Sequence, residues 1–159
     1  MSEVYVRRLR AVRDEFEAAR IALLYVAKYW QPHDIQNEPE VAVLKFTLRP
    51  FEQAQQNVEQ TYFVRLYAEF EGILKDHLAT NHPSLPVPDR PKVDQLISLV
   101  LRAEAVRLDP ILRAKMDAVR DYRNSIAHSK RRSGIAVISF VDALSRLNTV
   151  LAKLSDPRT

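Results

Sequence analysis

The sequence is poor in glycine and has no cysteine, and each absence excludes a class of site. Only two glycines occur, Gly72 and Gly134. The phosphate-binding loop of P-loop NTPases and the Rossmann fingerprint both need several glycines close together, so neither nucleotide-binding motif is present. Without cysteine there can be no disulfide, thiolate zinc site or cysteine nucleophile. The lack of cysteine is also compatible with a reducing compartment.

Long hydrophobic runs are missing too. The longest apolar run covers residues 21 to 27, whereas a helix needs ~20 apolar residues to span a bilayer. The N-terminus has a charged helical pattern and not that of a signal peptide. We therefore expect a cytoplasmic protein with no membrane association. The net charge of +4 is mild, so it permits an anionic partner without requiring one.

Sequence spacing gives little support for a bound metal. The four histidines are His33, His77, His82 and His128. No two of them stand at the spacing of metal ligands on one helix. No glutamate is followed by a histidine three residues later, so the di-iron bundle pattern is absent. An HExxH motif is also absent. The sequence therefore predicts no metal site and no cofactor.

A sustained seven-residue repeat predicts a long first helix over residues 3 to 30. Its apolar positions are Tyr5, Leu9, Val12, Phe16, Ala19, Leu23, Val26 and Trp30. This seam could pack within the chain or at a dimer interface. The opposite face carries arginines and carboxylates, which we interpret as a solvated face and not as a binding stripe.

A second long helix is predicted over residues 51 to 80. Its apolar stripe is wide enough for burial between two neighbours, and we assign its aromatic residues to the core and not to a base-stacking surface. Two carboxylates, Glu69 and Glu71, lie among these apolar residues. We favour Glu69 as an acid facing the motif described below. The proline-rich connection 81 to 91 is predicted to be a loop with His82 exposed.

Three further helices complete the pattern. One covers about 93 to 108, and the next covers 110 to 129 after an Asp109-Pro110 start. The last opens at Ser139 with Asp142 three residues on, which resembles a capping box.

These elements predict an all-α fold, an up-and-down bundle of four to five long helices. We expect one domain over residues 1 to 159, with helix 3 to 30 packed on the rest. The interval 31 to 50 is interrupted by prolines, and we favour a short docked helix within it.

Polar chemistry is concentrated in one stretch, residues 121 to 132, which contains Arg123, Asn124 and His128. On a helix Asn124 and His128 share a face, but Arg123 lies about 140° around from His128. One helix would thus make a loose site, and two copies facing each other could make a tight one. The alternative is structural. A histidine and three basic residues at a helix end are equally consistent with capping of the last backbone carbonyls, without any functional site.

The order Arg123, Asn124 and His128 resembles the signature of the HEPN superfamily, in which an arginine and a small polar residue precede a histidine. The segment 62 to 74 resembles the earlier core helix of that family, and the likeness covers about 51 to 154. One family variant has a tyrosine two positions after the histidine, where this chain has Lys130. The regulatory scheme of nucleotidyltransferase-paired toxins is therefore not expected.

The resemblance implies a dimeric helical bundle that acts as a metal-independent endoribonuclease in toxin–antitoxin, phage-defence or RNA-processing systems. It implies that Arg123, Asn124 and His128 are catalytic. Glu69, which we favour on its position alone, would be a supporting acid. The basic residues behind the motif, Lys130, Arg131 and Arg132, would hold the RNA backbone. The expected partners are RNA, a second copy of the chain and an antitoxin or other protein.

Two alternatives stay open. The first is a catalytically inactive HEPN-like domain that binds RNA, a nucleotide or a partner protein. The second is a plain helical interaction protein that pairs through its first helix, with the motif serving as a capped, solvated helix end.

Overall fold

The structure is a computed structural model that describes residues 3–29, 48–89, 91–127 and 134–154. These ranges contain five helices and no strand: α1 Glu3–Tyr29, α2 Leu48–Asn81, α3 Val93–Ala103, α4 Pro110–Ala127 and α5 Phe140–Leu151. The predicted all-α bundle is confirmed. In the same ranges, every helix is too short or too polar to cross a bilayer.

The longest helix, α2, is the centre of the bundle and contacts the other four helices. Its inner face is fully buried over Phe63, Leu66, Phe70, Ile73 and Leu78. Helices α1 and α4 also pack on α5, so one cluster of buried side chains includes residues from all five helices. The predicted core assignment of the α2 aromatics therefore holds for Phe63, Tyr67 and Phe70.

The seven-residue seam of α1 is buried only along its first half. Tyr5, Leu9, Val12 and Phe16 are buried within the chain. Beyond them the seam residues Ala19 and Leu23 are only partly buried. Several large apolar side chains of this second half are exposed, namely Ile21, Leu24, Tyr25, Val26 and Tyr29. The first half of the seam is thus intramolecular.

The charged face of α1 is solvated, as predicted, and several of its charges pair locally. Arg7 pairs with Glu3, Arg13 with Asp14, and Arg20 with Glu17; all six side chains are about one-third exposed or more. Paired exposed charges of this kind stabilise a helix only slightly, and they leave no bare basic stripe here.

One arginine crosses from α1 to α2 and fixes their relative position. The guanidinium of Arg8 donates to Glu69 and Asp76, each at 2.5 Å. Gly72 lies between these two acids, and a Cβ at that position would be 3.2 Å from Nη2 of Arg8. The glycine therefore lets the arginine lie close against α2.

The helix starts follow the predicted caps. Oδ1 of Asp109 accepts a hydrogen bond from the backbone N–H of Leu112 at 2.8 Å, and Ser139 accepts one from Asp142 at 3.1 Å. Helix α2 begins at Leu48, slightly earlier than predicted, with Pro50 in its first turn. Proline is tolerated there because first-turn N–H groups have no partner within the helix.

The third helix was predicted too long, because α3 ends at Ala103 and not near 108. Ala105 adopts a left-handed conformation with φ of 53°. The N–H of Val106 bonds to the carbonyl of Leu101, and that of Ala105 bonds to Arg102. This is the Schellman arrangement, in which glycine usually takes the left-handed position. An alanine there gives no sequence signal for a helix end.

The short helix predicted between residues 31 and 50 lies outside the described residues, except for 48–50, which belong to α2.

Candidate functional site

Helix α4 carries the motif arginine and is anchored by the predicted apolar rhythm. Leu112, Met116 and Val119 are buried, and Ile126 packs against the core. The ring of Tyr122 meets Phe63 of α2 edge-on, with centroids 4.8 Å apart. This packing holds the last two turns of α4 against α2.

Arg123 lies half-buried at this junction. Its guanidinium carbon is 5.7 Å from the ring centroid of Tyr67 on α2, within range of a cation–π contact. Its Nη1 donates to Oδ1 of Asn124 at 3.2 Å. Its Nε is buried and has no hydrogen-bond partner among the described residues. A buried charged donor of this kind favours an anionic acceptor.

Tyr67 is the aromatic floor of the site. Its side chain is buried, and its hydroxyl also has no hydrogen-bond partner within the described ranges. Burial raises the pKa of Tyr67 well above its usual range, and the nearby carboxylates of Glu71 and Asp94 raise it further. Tyr67 therefore stays protonated at neutral pH and can act only as a neutral donor or acceptor.

Glu71 is a partly buried carboxyl group within the electrostatic influence of the motif arginine. Burial raises the pKa of Glu71, and the positive charges of Arg123 and Lys75 partly oppose this shift. Glu71 lies four residues after Tyr67, so both side chains are on the same face of α2.

The expectation that Glu69 faces the motif is therefore corrected. Glu69 bonds instead to Arg8 of α1, two helix positions away from Glu71. Side chains two positions apart point in nearly opposite directions on a helix, because each residue turns the side chain by about 100°. The sequence placed two acids in apolar surroundings but gave no means of telling which neighbour each one faces.

Four predicted site residues lie outside the described residues: His128, Lys130, Arg131 and Arg132. Helix α4 is described as far as Ala127, one residue before the histidine. The structure thus brings Arg123 and Asn124 together with Tyr67, within the electrostatic influence of Glu71. The joint action of Arg123 and His128 stays a prediction.

A second polar cluster was missed by sequence reasoning. Nε2 of His77 and Nε2 of His82 each lie 2.8 Å from the same carboxylate oxygen of Glu104. His82, expected to be exposed, has a side chain only 20% exposed. The two histidines are five residues apart, which is not a helical ligand spacing. They meet because His82 follows the last residue of α2 and Glu104 follows the last residue of α3.

The Arg123 site has the properties of an anion-binding site. A guanidinium stays charged at every relevant pH and binds phosphate through two parallel N–H groups. Its half-buried position, on an aromatic ring and beside an apolar core, strengthens such a contact by reducing the local dielectric.

Comparisons with protein-family models, with curated proteins and with solved structures gave no match.

Proposed function

We propose that this chain is a metal-independent endoribonuclease of HEPN type that acts as a homodimer, as a toxin or as a phage-defence or RNA-processing factor. The observation that supports it best is Arg123, a half-buried guanidinium whose Nε has no hydrogen-bond partner among the described residues. A phosphodiester is an anionic acceptor of the kind that such a partly satisfied guanidinium favours. The residue stands in the motif that contains Asn124 and His128.

The reaction needs only groups that the motif supplies. One His128 removes the proton from a ribose 2′-hydroxyl, and the 2′-oxygen attacks the adjacent phosphorus. The bond from phosphorus to the 5′-oxygen breaks, and that oxygen takes a proton from a second imidazole. The products are a 2′,3′-cyclic phosphate and a 5′-hydroxyl. Histidine suits both transfers because its ordinary pKa is near ~6.5.

Arg123 stabilises the negative charge that develops on the phosphate oxygens. Asn124 accepts a hydrogen bond from Arg123 and so helps to orient its guanidinium. Tyr67 supports the flat face of that guanidinium. Lys130, Arg131 and Arg132 bind neighbouring phosphates without reading the base sequence.

A dimer supplies the second imidazole, since one copy contains one motif histidine. The exposed apolar side chains on the second half of α1, including Ile21 and Tyr25, offer a surface on which copies could associate. An antitoxin or other partner protein would cover the same kind of surface.

The test is cleavage of a mixed RNA pool in the presence of EDTA. Wild type is compared with His128→Ala and Arg123→Ala, each first shown to be folded by circular dichroism. We expect wild type to yield 2′,3′-cyclic phosphate ends and both variants to lose cleavage by about 100-fold or more.

Other results would identify a different function. Cleavage by all three proteins would indicate another site or a contaminant. Cleavage that EDTA abolishes, while circular dichroism shows that the chain is still folded, would exclude this mechanism. RNA binding without cleavage by wild type would favour the inactive binding domain, for which the unpaired N–H of Arg123 is equally suited. If wild type neither binds nor cleaves RNA, the plain interaction protein is the alternative that remains.

A further inference from the structure

The second polar cluster, His77, His82 and Glu104, has the donor set of a metal site. Each residue offers one ligand atom, and the three atoms lie within 4.8 Å of one another. The side chain of His77 is fully buried and that of Glu104 is 10% exposed. The cluster is thus a shielded site that His82 connects to the surface.

The surroundings of His77 can accommodate a metal-bound histidine once the Asn81 amide is turned. Its Nε2 points to Glu104, while its Nδ1 lies 3.1 Å from the hydroxyl of Tyr5 and 3.3 Å from the side-chain amide nitrogen of Asn81. An imidazole that binds a metal through Nε2 carries its proton on Nδ1 and needs an acceptor there. The hydroxyl of Tyr5 can accept that proton, and so can the amide oxygen of Asn81 after a flip.

The backbone holds the other two ligands in place. The N–H of His82 still bonds to the carbonyl of Leu78, so His82 continues the last turn of α2. Glu104 precedes Ala105, the left-handed residue that ends α3.

We propose that His77, His82 and Glu104 bind a divalent transition metal ion, with Zn²⁺ as the preferred ion. Imidazole nitrogen with one carboxylate oxygen suits Zn²⁺, whereas Mg²⁺ and Ca²⁺ prefer oxygen ligands alone. Two ligands on one tetrahedral Zn²⁺ are about 3.3 Å apart, given bonds of about 2.0–2.1 Å. The nitrogen–oxygen distances of 2.8 Å therefore need to widen by about half an ångström.

A set of three protein ligands leaves the fourth tetrahedral position for water or an exchangeable ligand. The ion would cross-link the end of α2 to the end of α3 and stabilise the folded chain by mass action. This inference is independent of the proposed ribonuclease function, whose reaction uses no metal.

The test is isothermal titration of the tag-free full-length protein with ZnCl₂, together with visible absorption after addition of Co²⁺. We expect one Zn²⁺ per chain and the intense bands of tetrahedral Co²⁺. His82→Ala and Glu104→Gln should each weaken Zn²⁺ binding by more than about 100-fold, because they remove a ligand. Tyr5→Phe should weaken it by about 10- to 100-fold, since it removes an acceptor for His77.

Matched controls separate this site from general chelation. Glu17→Gln changes an exposed acid on α1 and His128→Ala removes a histidine of the motif; both should bind Zn²⁺ as wild type does. Glu104→Gln keeps a carbonyl oxygen that accepts a hydrogen bond, so its fold should persist, and circular dichroism checks this. Titration without heat of binding, or equal affinity in wild type, His82→Ala and Glu104→Gln, would overturn the proposal. RNA cleavage by His82→Ala, measured in EDTA, tests the ribonuclease proposal separately from the metal site.

Discussion

Two arginines one turn apart on α4 have opposite surroundings. Arg120 bonds to Asp94 at 2.8 Å and to Asp117 and Asp121 at 3.1 Å each. The hydrogen bond to Asp94 is the main reason that the pKa of Arg120 is raised even above its usual range. Arg123, on the side facing α2, has an aromatic ring beneath it and an Nε without a partner among the described residues.

The difference separates an arginine that serves the fold from one that is suited to a ligand. Three carboxylates satisfy Arg120, and its pair with Asp94 links α4 to α3. Arg123 has lost water from its Nε without a full replacement, which is costly unless a ligand supplies an acceptor. The same residue type thus has two different environments on one helix, and only the neighbouring side chains distinguish them.

Replacing each arginine by glutamine tests the difference between Arg120 and Arg123 most directly. Arg123→Gln should reduce RNA cleavage by about 100-fold or more, because the charge that stabilises the phosphate is lost. Arg120→Gln should retain cleavage within a few-fold and lower the free energy of unfolding by about 1 kcal/mol. Initial rates and urea unfolding of both variants measure the two effects.

Equal loss of cleavage in the two variants, at equal stability, would remove the distinction between Arg120 and Arg123. Arg65→Gln is a further control, since Arg65 is an exposed arginine of α2 that pairs with Glu15. It should affect neither cleavage nor stability by a large factor.

Tyr67→Phe tests the floor of the site. Removing a buried hydroxyl that has no hydrogen-bond partner among the described residues should raise the free energy of unfolding by about 1 kcal/mol. The ring remains beneath Arg123, so the cation–π contact is retained. Thermal unfolding and RNA cleavage are measured on the same sample. Destabilisation would show that the hydroxyl has a partner in the folded protein.

The smallest effect is expected from Glu71→Gln and depends on pH. Because burial raises the pKa of Glu71, the folded chain holds that proton more tightly than the unfolded chain. The contribution of Glu71 to the free energy of unfolding of wild type therefore falls as pH rises above the ordinary glutamate pKa of about 4.3. The variant should be more stable than wild type at pH 7, by less than about 1 kcal/mol, and no more stable at pH 3.5.

Urea unfolding at the two pH values measures this difference. Glu17→Gln, at an exposed ion pair with Arg20, is the control and should change stability little at either pH. A gain at pH 3.5 as large as that at pH 7 would mean that the charge of Glu71 is not the cause.

The sequence determined the helices and most of their ends, because apolar periodicity and caps are local. The rhythm from Leu112 to Ile126 is the buried face of α4, and Asp109 and Ser139 cap α4 and α5 as their spacing predicted. The end of α3 escaped prediction because its left-handed residue is Ala105 and not glycine. The sequence also identified Arg123 and Asn124 as a polar pair.

Only the tertiary structure decided which groups meet across helices. It paired Glu69 with Arg8, placed Glu71 within the electrostatic influence of Arg123, and separated the surroundings of Arg123 from those of Arg120. It also brought Glu104 to His77, 27 residues away along the chain. Such contacts depend on how helices rotate and cross, and these are set by packing of the whole core and not by the spacing within one helix.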